Sequence, residues 1–403
     1  MLMPVTSVAI AYDCLFPYTT GGGERQYRAF ATELAGRGLA VDYLTARQWT
    51  GAAPEEPGFR VVAATGPLRL YSADGVRRSA AAAAFAWGLF RTLRRRRHRY
   101  DAVIVSALPV LNVLAARAAL AGTGTTLIAD YLEVWRRPQW IRYAGRATGT
   151  VAWFLQRLAI ALTPVATAHS QLSARRLRAE GLRGRLLVSP GLIEGGGPEP
   201  ETRDAASPPF VLYVGRHIPD KRVECLPAAV AVARERTPDL RLVILGEGPS
   251  APEVRAAIQA ADGDGWTDLP GFVSEERLDE LMATAACLVN PSRREGYGLV
   301  VVESAAHGTP VVLVADEGNA STELIEAGRN GHVAASAAPR DLGDAIGRTV
   351  TGAGALRRST SDWYREALAT RTIRRTIDAI VDTVRDIRGA GADRPRAERA
   401  ENK

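Results

Sequence analysis

The sequence predicts an α/β fold of two doubly wound domains, each built on a mostly parallel sheet. Three observations predict it. Short apolar, β-rich runs alternate with helix-length stretches along most of the 403 residues, which is the pattern of βαβ units. Between Pro190 and Pro209 the composition turns to GLIEGGGPEPETRDAASPP, rich in Gly, Pro and acidic residues, a linker signature. A chain of this length also exceeds one ordinary core. The expected division is 1–190 for the first domain, 191–209 for the linker and 210–360 for the second domain.

Taken in order, Val8 to Tyr12 reads as a first buried strand, followed by the turn DCLFPYTTGGGE and a helical pattern from about Glu24 to Arg37. Gly21, Gly22 and Gly23 stand just before that helix, where bare backbone lets a ligand approach its free N–H groups; a flexible loop ahead of a helix explains them equally well. They are not a dinucleotide fingerprint, because about eight residues separate strand from glycine and G-x-G-x-x-G needs a tight turn. Strand patterns recur at Val41 to Thr45, Arg60 to Ala64, Ala102 to Ser106, Thr126 to Asp130, Ala166 to Ser170 and Arg185 to Ser189. Beyond the linker they fall at Val211 to Val214, Arg241 to Leu245, Leu269 to Val273, Ala286 to Asn290 and Val311 to Val314. A final helix runs from Ser361 to about Ile387, and the charged, small-residue stretch 388–403 is expected to be a disordered tail.

The segment SAAAAAFAWGLF is apolar for about a dozen residues, short of the roughly 20 that span a bilayer, and it runs into RTLRRRRHRY. It reads first as a core helix ending in solvated arginines. A peripheral contact with an anionic membrane through residues 79–99 is the second reading.

With 46% hydrophobic, 24% charged and 6% aromatic residues, the composition is that of a soluble globular protein. A net charge of +7 suits anionic partners such as nucleotide phosphates, lipid or nucleic acid without choosing among them. Cys14, Cys225 and Cys287 are widely spaced and odd in number, so a reducing cytosol is expected rather than a disulfide framework. MLMPVTSVAI enters a strand-like run with no basic n-region or cleavage site, so no signal peptide is expected. The histidines at 98, 169, 217, 307 and 332 show no metal-ligand spacing.

The stretch VLYVGRHIPDK, 211–221, carries the first chemical signal. Val211 to Val214 make a short strand that Gly215 breaks, and Arg216 and Lys221 then place two cations on the loop before the helical run from Cys225 to Arg236. Open α/β sheets bind ligands at that edge. An arginine fork and a mobile ammonium together suit a diphosphate. Only two lysines occur, Lys221 and Lys403, so an otherwise arginine-based chain keeps its one ammonium outside the tail in this loop. Chance placement in an Ala/Arg/Gly-rich sequence is the bland alternative.

Further on, EGYGLVVVES puts Glu295 and Glu303 eight residues apart. Glu295 stands in a glycine-containing loop that opens a helix and Glu303 about two turns along it, roughly 12 Å away at helical rise. That is too far for two carboxylates to work on one bond, and right for gripping opposite ends of an extended ligand such as a nucleotide sugar. The plain readings are a helix-start acid for Glu295 and a solvated helix residue for Glu303.

GRHIPDK, followed by LVILGEGP, LPGFVS, NPSRREGYGLVVVESAAHGTPVV and ELIEAGRNGHV, closely resembles the C-terminal half of glycosyltransferase family 4. These are retaining, nucleotide-sugar-dependent enzymes with two Rossmann-like domains facing a cleft, the GT-B fold. The resemblance is strong over about 211–335 and weaker over 1–190, where GGGE, His169 and Ser170 carry it. It implies that Arg216 and Lys221 bind the donor diphosphate, that Glu303 holds the ribose and that Glu295 contacts the donor sugar. It places Gly215, Gly246, Gly296, Tyr297, Gly298 and Leu299 in the donor site, the backbone near Val273 at the base, and Gly22 and Gly23 beside sugar and acceptor. The final helix would cross back to the first domain, giving Trp363 and its neighbours that role.

The acceptor implied is a hydroxyl compound, with Tyr131, Glu133, Trp135 and His169 as candidate contacts in or near the aromatic stretch YLEVWRRPQWIRY. Many members carry a histidine where this chain has the strand end LIADYLEV. Asp130 is therefore a candidate catalytic residue, as a sugar-hydroxyl ligand or a general base, unless it only caps the turn. No convincing carboxylate nucleophile is present. The resemblance implies front-face transfer, in which the leaving diphosphate takes the acceptor proton while cations stabilise its charge, with no cofactor or metal and the nucleotide sugar as co-substrate. The DGD at 262–264 sits in a Gly-rich turn and reads as surface.

The nearest alternative is a nucleotide-sugar 2-epimerase of the same architecture, which needs no acceptor. A dehydrogenase is disfavoured, since no strand leads into a proper G-x-G-x-x-G. A non-catalytic basic surface-binding protein does not explain why Arg216, Lys221, Glu295 and Glu303 fit one donor pattern. No nucleic-acid partner is expected.

Overall fold

The computed structural model describes residues 4–71, 77–195 and 202–400. The chain divides into two compact units, Met1–Gly195 with Arg371–Lys403, and Gly196–Thr370. Part of the expected linker, 196–201, lies outside the described residues.

The first unit runs β1 (Ser7–Ala11), α1 (Gly22–Gly36), β2 (Ala40–Ala46), β3 (Glu55–Glu56), β4 (Phe59–Thr65), α2 (Ser79–Arg95) and β5 (Ala102–Ser106). It continues through α3 (Leu111–Ala119), β6 (Thr126–Tyr131), α4 (Arg137–Ala144), α5 (Arg146–Leu162), β7 (Val165–Ala168), α6 (Gln171–Ala179) and β8 (Arg185–Val188). The sheet order is β3-β4-β2-β1-β5-β6-β7-β8, with only the β3–β4 pair antiparallel. Every residue of β5, β6 and β7 is buried, as expected of parallel strands covered on both faces. On one face α2, α3, α5 and α6 pack Phe85, Leu89, Val113, Ala159 and Leu177 against the strands' Ala9, Val103 and Ala129. The apolar segment 79–90 is thus a core helix along its inner side. No described helix is long and apolar enough to cross a membrane.

The second unit runs β9 (Phe210–Val214), α7 (Leu226–Arg234), β10 (Arg241–Leu245), α8 (Ala251–Ala260), β11 (Thr267–Gly271), α9 (Glu275–Thr284) and β12 (Cys287–Asn290). Then come β13 (Arg294–Glu295), α10 (Leu299–Ala306), β14 (Val311–Val314), β15 (Gly318–Asn319), β16 (Gly331–Ala334), α11 (Pro339–Thr351) and α12 (Ala353–Thr370). Its main sheet, β11-β10-β9-β12-β14-β16, is parallel throughout, and β13 pairs separately with β15.

The expected final helix is two helices, α12 and α13 (Ile373–Ala400). Arg357 anchors α12 within the second unit. Its side chain is buried and donates to the carbonyl of Ala285 at 2.6 Å and to those of Arg203 and Ala283. Trp363 is buried in the same unit, its indole N–H donating to Glu326 at 2.9 Å. It therefore does not take the crossing role, which falls to the chain from Arg371 onward. There α13 lies in the first unit, where Arg37 of α1 pairs with Asp378 at 3.0 Å. The helix continues to Ala400 through residues expected to be a disordered tail, although Gly389, Gly391 and Pro395 there are poor helix formers.

Candidate active site

At the carboxyl edge of the second unit's sheet, three strand ends are tied together by backbone. The Gly215 N–H donates to the Leu245 carbonyl at 3.3 Å, that of His217 to Glu247 at 2.9 Å, and that of Gly246 to Gly271 at 2.8 Å. Gly246 has φ of 103°, and a Cβ there would stand 2.1 Å from the Gly215 carbonyl oxygen. Only glycine permits so close an approach in that conformation. Arg216 is exposed on this edge, and Val273 is half-buried just beyond β11.

A short 3-10 turn, Pro219–Lys221, carries Lys221 to β13. The ammonium donates to Oε1 of Glu295, which also accepts from Asn290 at 3.0 Å and Ser292 at 2.9 Å. Burial works against a charged Glu295, but Lys221 and these donors prevail and hold its pKa below the usual carboxylate value. The framework around the pair is equally tied. Arg294 pairs with Asp220 at 2.7 Å, Arg222 donates to the Pro291 carbonyl at 2.8 Å, and Asn319 donates to the Ser292 carbonyl at 3.2 Å.

Glu295 lies in a strand rather than at a helix start, so helical rise does not set its distance from Glu303. Gly298, at φ 102°, caps α10 where a Cβ would be 2.5 Å from that of Ser321. Tyr297 is buried beside it, Gly296 and Leu299 are half-buried, and Glu303 is half-buried on α10.

In the first unit, Gly22 and Gly23 form the opening turn of α1 rather than a loop ahead of it. Asp130, the penultimate residue of β6, is fully buried. Its Oδ2 accepts from the Tyr27 hydroxyl at 2.7 Å and from Gln26 at 3.1 Å; its Oδ1 accepts from Thr167 and lies 2.8 Å from His169 Nε2. Burial raises the pKa of Asp130, yet His169 and these hydrogen bonds overcome it and leave it lowered. A carboxylate so enclosed has no surface open to solvent and lies directly beside His169. The buried His169 has no hydrogen-bond partner at Nδ1 among the described residues.

Tyr131 points into the core, its hydroxyl 3.0 Å from that of Thr163. Trp135 is buried with Trp140, ring centroids 4.5 Å apart, and the Gln156 side chain bonds to both. Tyr131 thus packs in the main core of the first unit, and Trp135 in a small aromatic core with Trp140 and Val110. Glu133 is half-buried and accepts from the Trp135 indole at 2.6 Å.

Residues 208–351 match the family described as Glycosyl transferases group 1. The likeness to that family is confined to this stretch. Alpha-D-kanosaminyltransferase of Streptomyces kanamyceticus is 34% identical over 140 residues, covering 35% of this chain and 36% of that protein. D-inositol 3-phosphate glycosyltransferase of Nocardioides sp. (strain ATCC BAA-499 / JS614) is 37% identical over 155 residues, covering 35% of this chain and 33% of that protein. The chain thus spans about a third of the length of these curated relatives.

Among solved structures, sucrose-phosphate synthase from Thermosynechococcus elongatus aligns with a TM-score of 0.77 at 17% identity, over 96% of this chain and 100% of that one. Anabaena Alr3699/HepE in complex with UDP aligns at 0.68 and 15%, over 94% and 99%. The likeness is one of fold, and the fold is GT-B.

Within residues 208–351 the structure brings Lys221 and Glu295 together, with Arg216, Gly215 and Gly246 on the same sheet edge. Sequence reading missed the part played by Asn290 and Asn319, which end β12 and β15, and by Ser292 between β12 and β13, because single polar side chains there gave no periodic signal. It also missed Gln26 and Tyr27, which reach Asp130 from a helix 104 and 103 residues away.

Proposed function

We propose that this chain is a retaining glycosyltransferase that moves a sugar from a nucleoside-diphosphate sugar to a hydroxyl acceptor without a metal ion. The observation that carries the reading is the ion pair of Lys221 and Glu295 at the carboxyl edge of the second unit's sheet. Relatives named as glycosyltransferases and a fold neighbour solved with UDP support the donor class.

In this reading Arg216 and Lys221 hold the diphosphate, Glu303 the ribose and Glu295 the donor sugar. An ammonium has three donors, so Lys221 serves Glu295 and a phosphate oxygen together. The bond from the sugar's anomeric carbon to the diphosphate breaks, and a bond to the acceptor oxygen forms on the same face. The acceptor proton passes to the departing phosphate oxygen, whose growing charge the two cations neutralise. The free Cys14, Cys225 and Cys287 fit a cytoplasmic setting.

A thermal-shift panel of UDP-, GDP- and dTDP-sugars tests the reading, since a ligand that binds the native state alone raises the melting temperature. One donor raising it in the wild type but not in Lys221→Ala is the expected result. No shift across the panel would overturn the reading, and conversion of donor in the absence of any acceptor would replace it with an epimerase.

A further inference from the structure

We infer that the outer face of the helical layer formed by α2, α3 and α5 in the first unit is a docking surface for an anionic lipid bilayer. The observation begins with α5. Its inner side buries Gln156, Ala159 and Ile160. Its opposite side carries Val151, 59% exposed, and Phe154, 62% exposed, with Leu158 and Leu162 also exposed. Those four positions recur at helical spacing on one face. A helix on the solvent side of a layer ordinarily shows a polar stripe there, and this one shows an apolar stripe. On α2 of the same layer, Trp87 is 61% exposed and its ring stacks on Phe90 at 5.5 Å.

Charge selects the occupant. The chain holds 44 Asp and Glu, yet α2, α3, α4, α5 and α6 contain none. They contain arginines instead, among them Arg91, Arg94 and Arg95 on α2, Arg117 on α3 and Arg146 on α5. An apolar stripe on helices that carry arginines and no carboxylate of their own, with Glu180 beside α5 paired to Arg157 at 3.6 Å, matches a bilayer's two layers. The headgroups meet guanidinium groups, while Phe154, Leu158 and Trp87 enter the acyl boundary. A second copy of this chain fits poorly, because a two-fold interface would set the same basic patch against itself. A nucleic acid fits poorly too, since three of the four exposed α5 positions, Val151, Leu158 and Leu162, are aliphatic and offer no ring for a base to stack on. No described helix can cross the membrane, so the contact is peripheral.

Cosedimentation of the full chain with phosphatidylglycerol-containing vesicles and with pure phosphatidylcholine vesicles tests the surface. Binding to the former, weak binding to the latter and release by high salt are expected. The double variant Phe154→Ser/Leu158→Ser should bind at least about tenfold more weakly while keeping the wild-type melting temperature, since both side chains are exposed. In the wild type, brominated lipid should quench tryptophan fluorescence, and Trp87→Phe should lose most of that quenching while still binding. Equal vesicle binding by wild type and the double variant would overturn the inference. So would wild-type binding to neither vesicle, or a concentration-dependent dimer that the double variant abolishes without any vesicle binding.

Discussion

The ammonium of Lys221 and the carboxylate of Glu295 form an ion pair whose shared oxygen, Oε1, also takes hydrogen bonds from Asn290 and Ser292. Truncation at position 221 therefore acts twice. It removes a cation from the leaving diphosphate, and it leaves a partly buried Glu295 without its counter-charge. Lys221→Ala is expected to lower kcat/KM about a hundredfold or more. Lys221→Arg should restore little, because a planar fork does not replace a compact ammonium in a pocket built for one. Initial-rate kinetics check this, and near-normal turnover by Lys221→Ala would remove the centre of the proposed mechanism.

Glu303 and Glu295 should separate kinetically. A ribose contact is the same in ground and transition states, so Glu303→Ala raises the donor KM more than it lowers kcat. Glu295→Gln keeps the size and most hydrogen bonding but breaks the ion pair that positions Lys221, and it should lower kcat more than it raises KM. Independent measurement of the two constants decides the matter; unchanged values in both variants would sink the donor assignment.

What was legible in the sequence follows from how each feature is built. Ala102–Ser106, Arg241–Leu245 and Val311–Val314 are strands with the bounds read from their apolar runs, because a buried parallel strand declares itself in consecutive β-formers. The two-residue strands β13 and β15 have no run to declare, yet they fix Glu295. Gly22 reads as standing just before the helix and is helical, since its helix gains more from tertiary burial of Tyr27, Phe30 and Leu34 than it loses to glycine entropy. The setting of Asp130 was illegible for a different reason. Its partners come from α1, from Thr167 at the third position of β7 and from His169 just past that strand, and only the three-dimensional sheet brings them together.

Arg357 illustrates the same limit and yields a stability prediction. In an arginine-rich sequence it reads as surface, but it is 1% exposed and donates to backbone carbonyls from three separate stretches. Burial lowers its pKa while the charge of Asp204 works the other way, and its hydrogen bonds go to those carbonyls and to the Thr309 hydroxyl at 2.9 Å. Arg357→Met fills most of the volume and leaves the carbonyls without donors, which costs about 3 kcal/mol or more. Urea unfolding should show a clearly lower midpoint; a midpoint equal to wild type would mean that these hydrogen bonds do not hold α12 in place.

His169 Nε2 lies 2.8 Å from Oδ1 of Asp130, and that carboxylate is occupied on both oxygens by Tyr27, Gln26 and Thr167 besides. Its folded-state pKa is lowered. A carboxylate of that kind contributes stability that is fully present above its unfolded pKa, near 3.9, and is lost as pH falls through the folded value. Asp130→Asn removes the contribution and turns an amide N–H toward groups that donate. The variant should be less stable at pH 7 by about 1–3 kcal/mol. Because wild type loses its advantage in acid and the variant has none to lose, the gap between them should narrow as pH drops below about 4. Urea unfolding at pH 7 and at steps down to about pH 3 reads that gap directly, and a constant gap would show that no charged Asp130 stabilises the fold. The same variant separates two chemical roles. A general base would lose nearly all turnover with stability intact, whereas a residue that orients His169 loses stability first and retains part of its turnover, with a pH–rate profile displaced from that of the wild type.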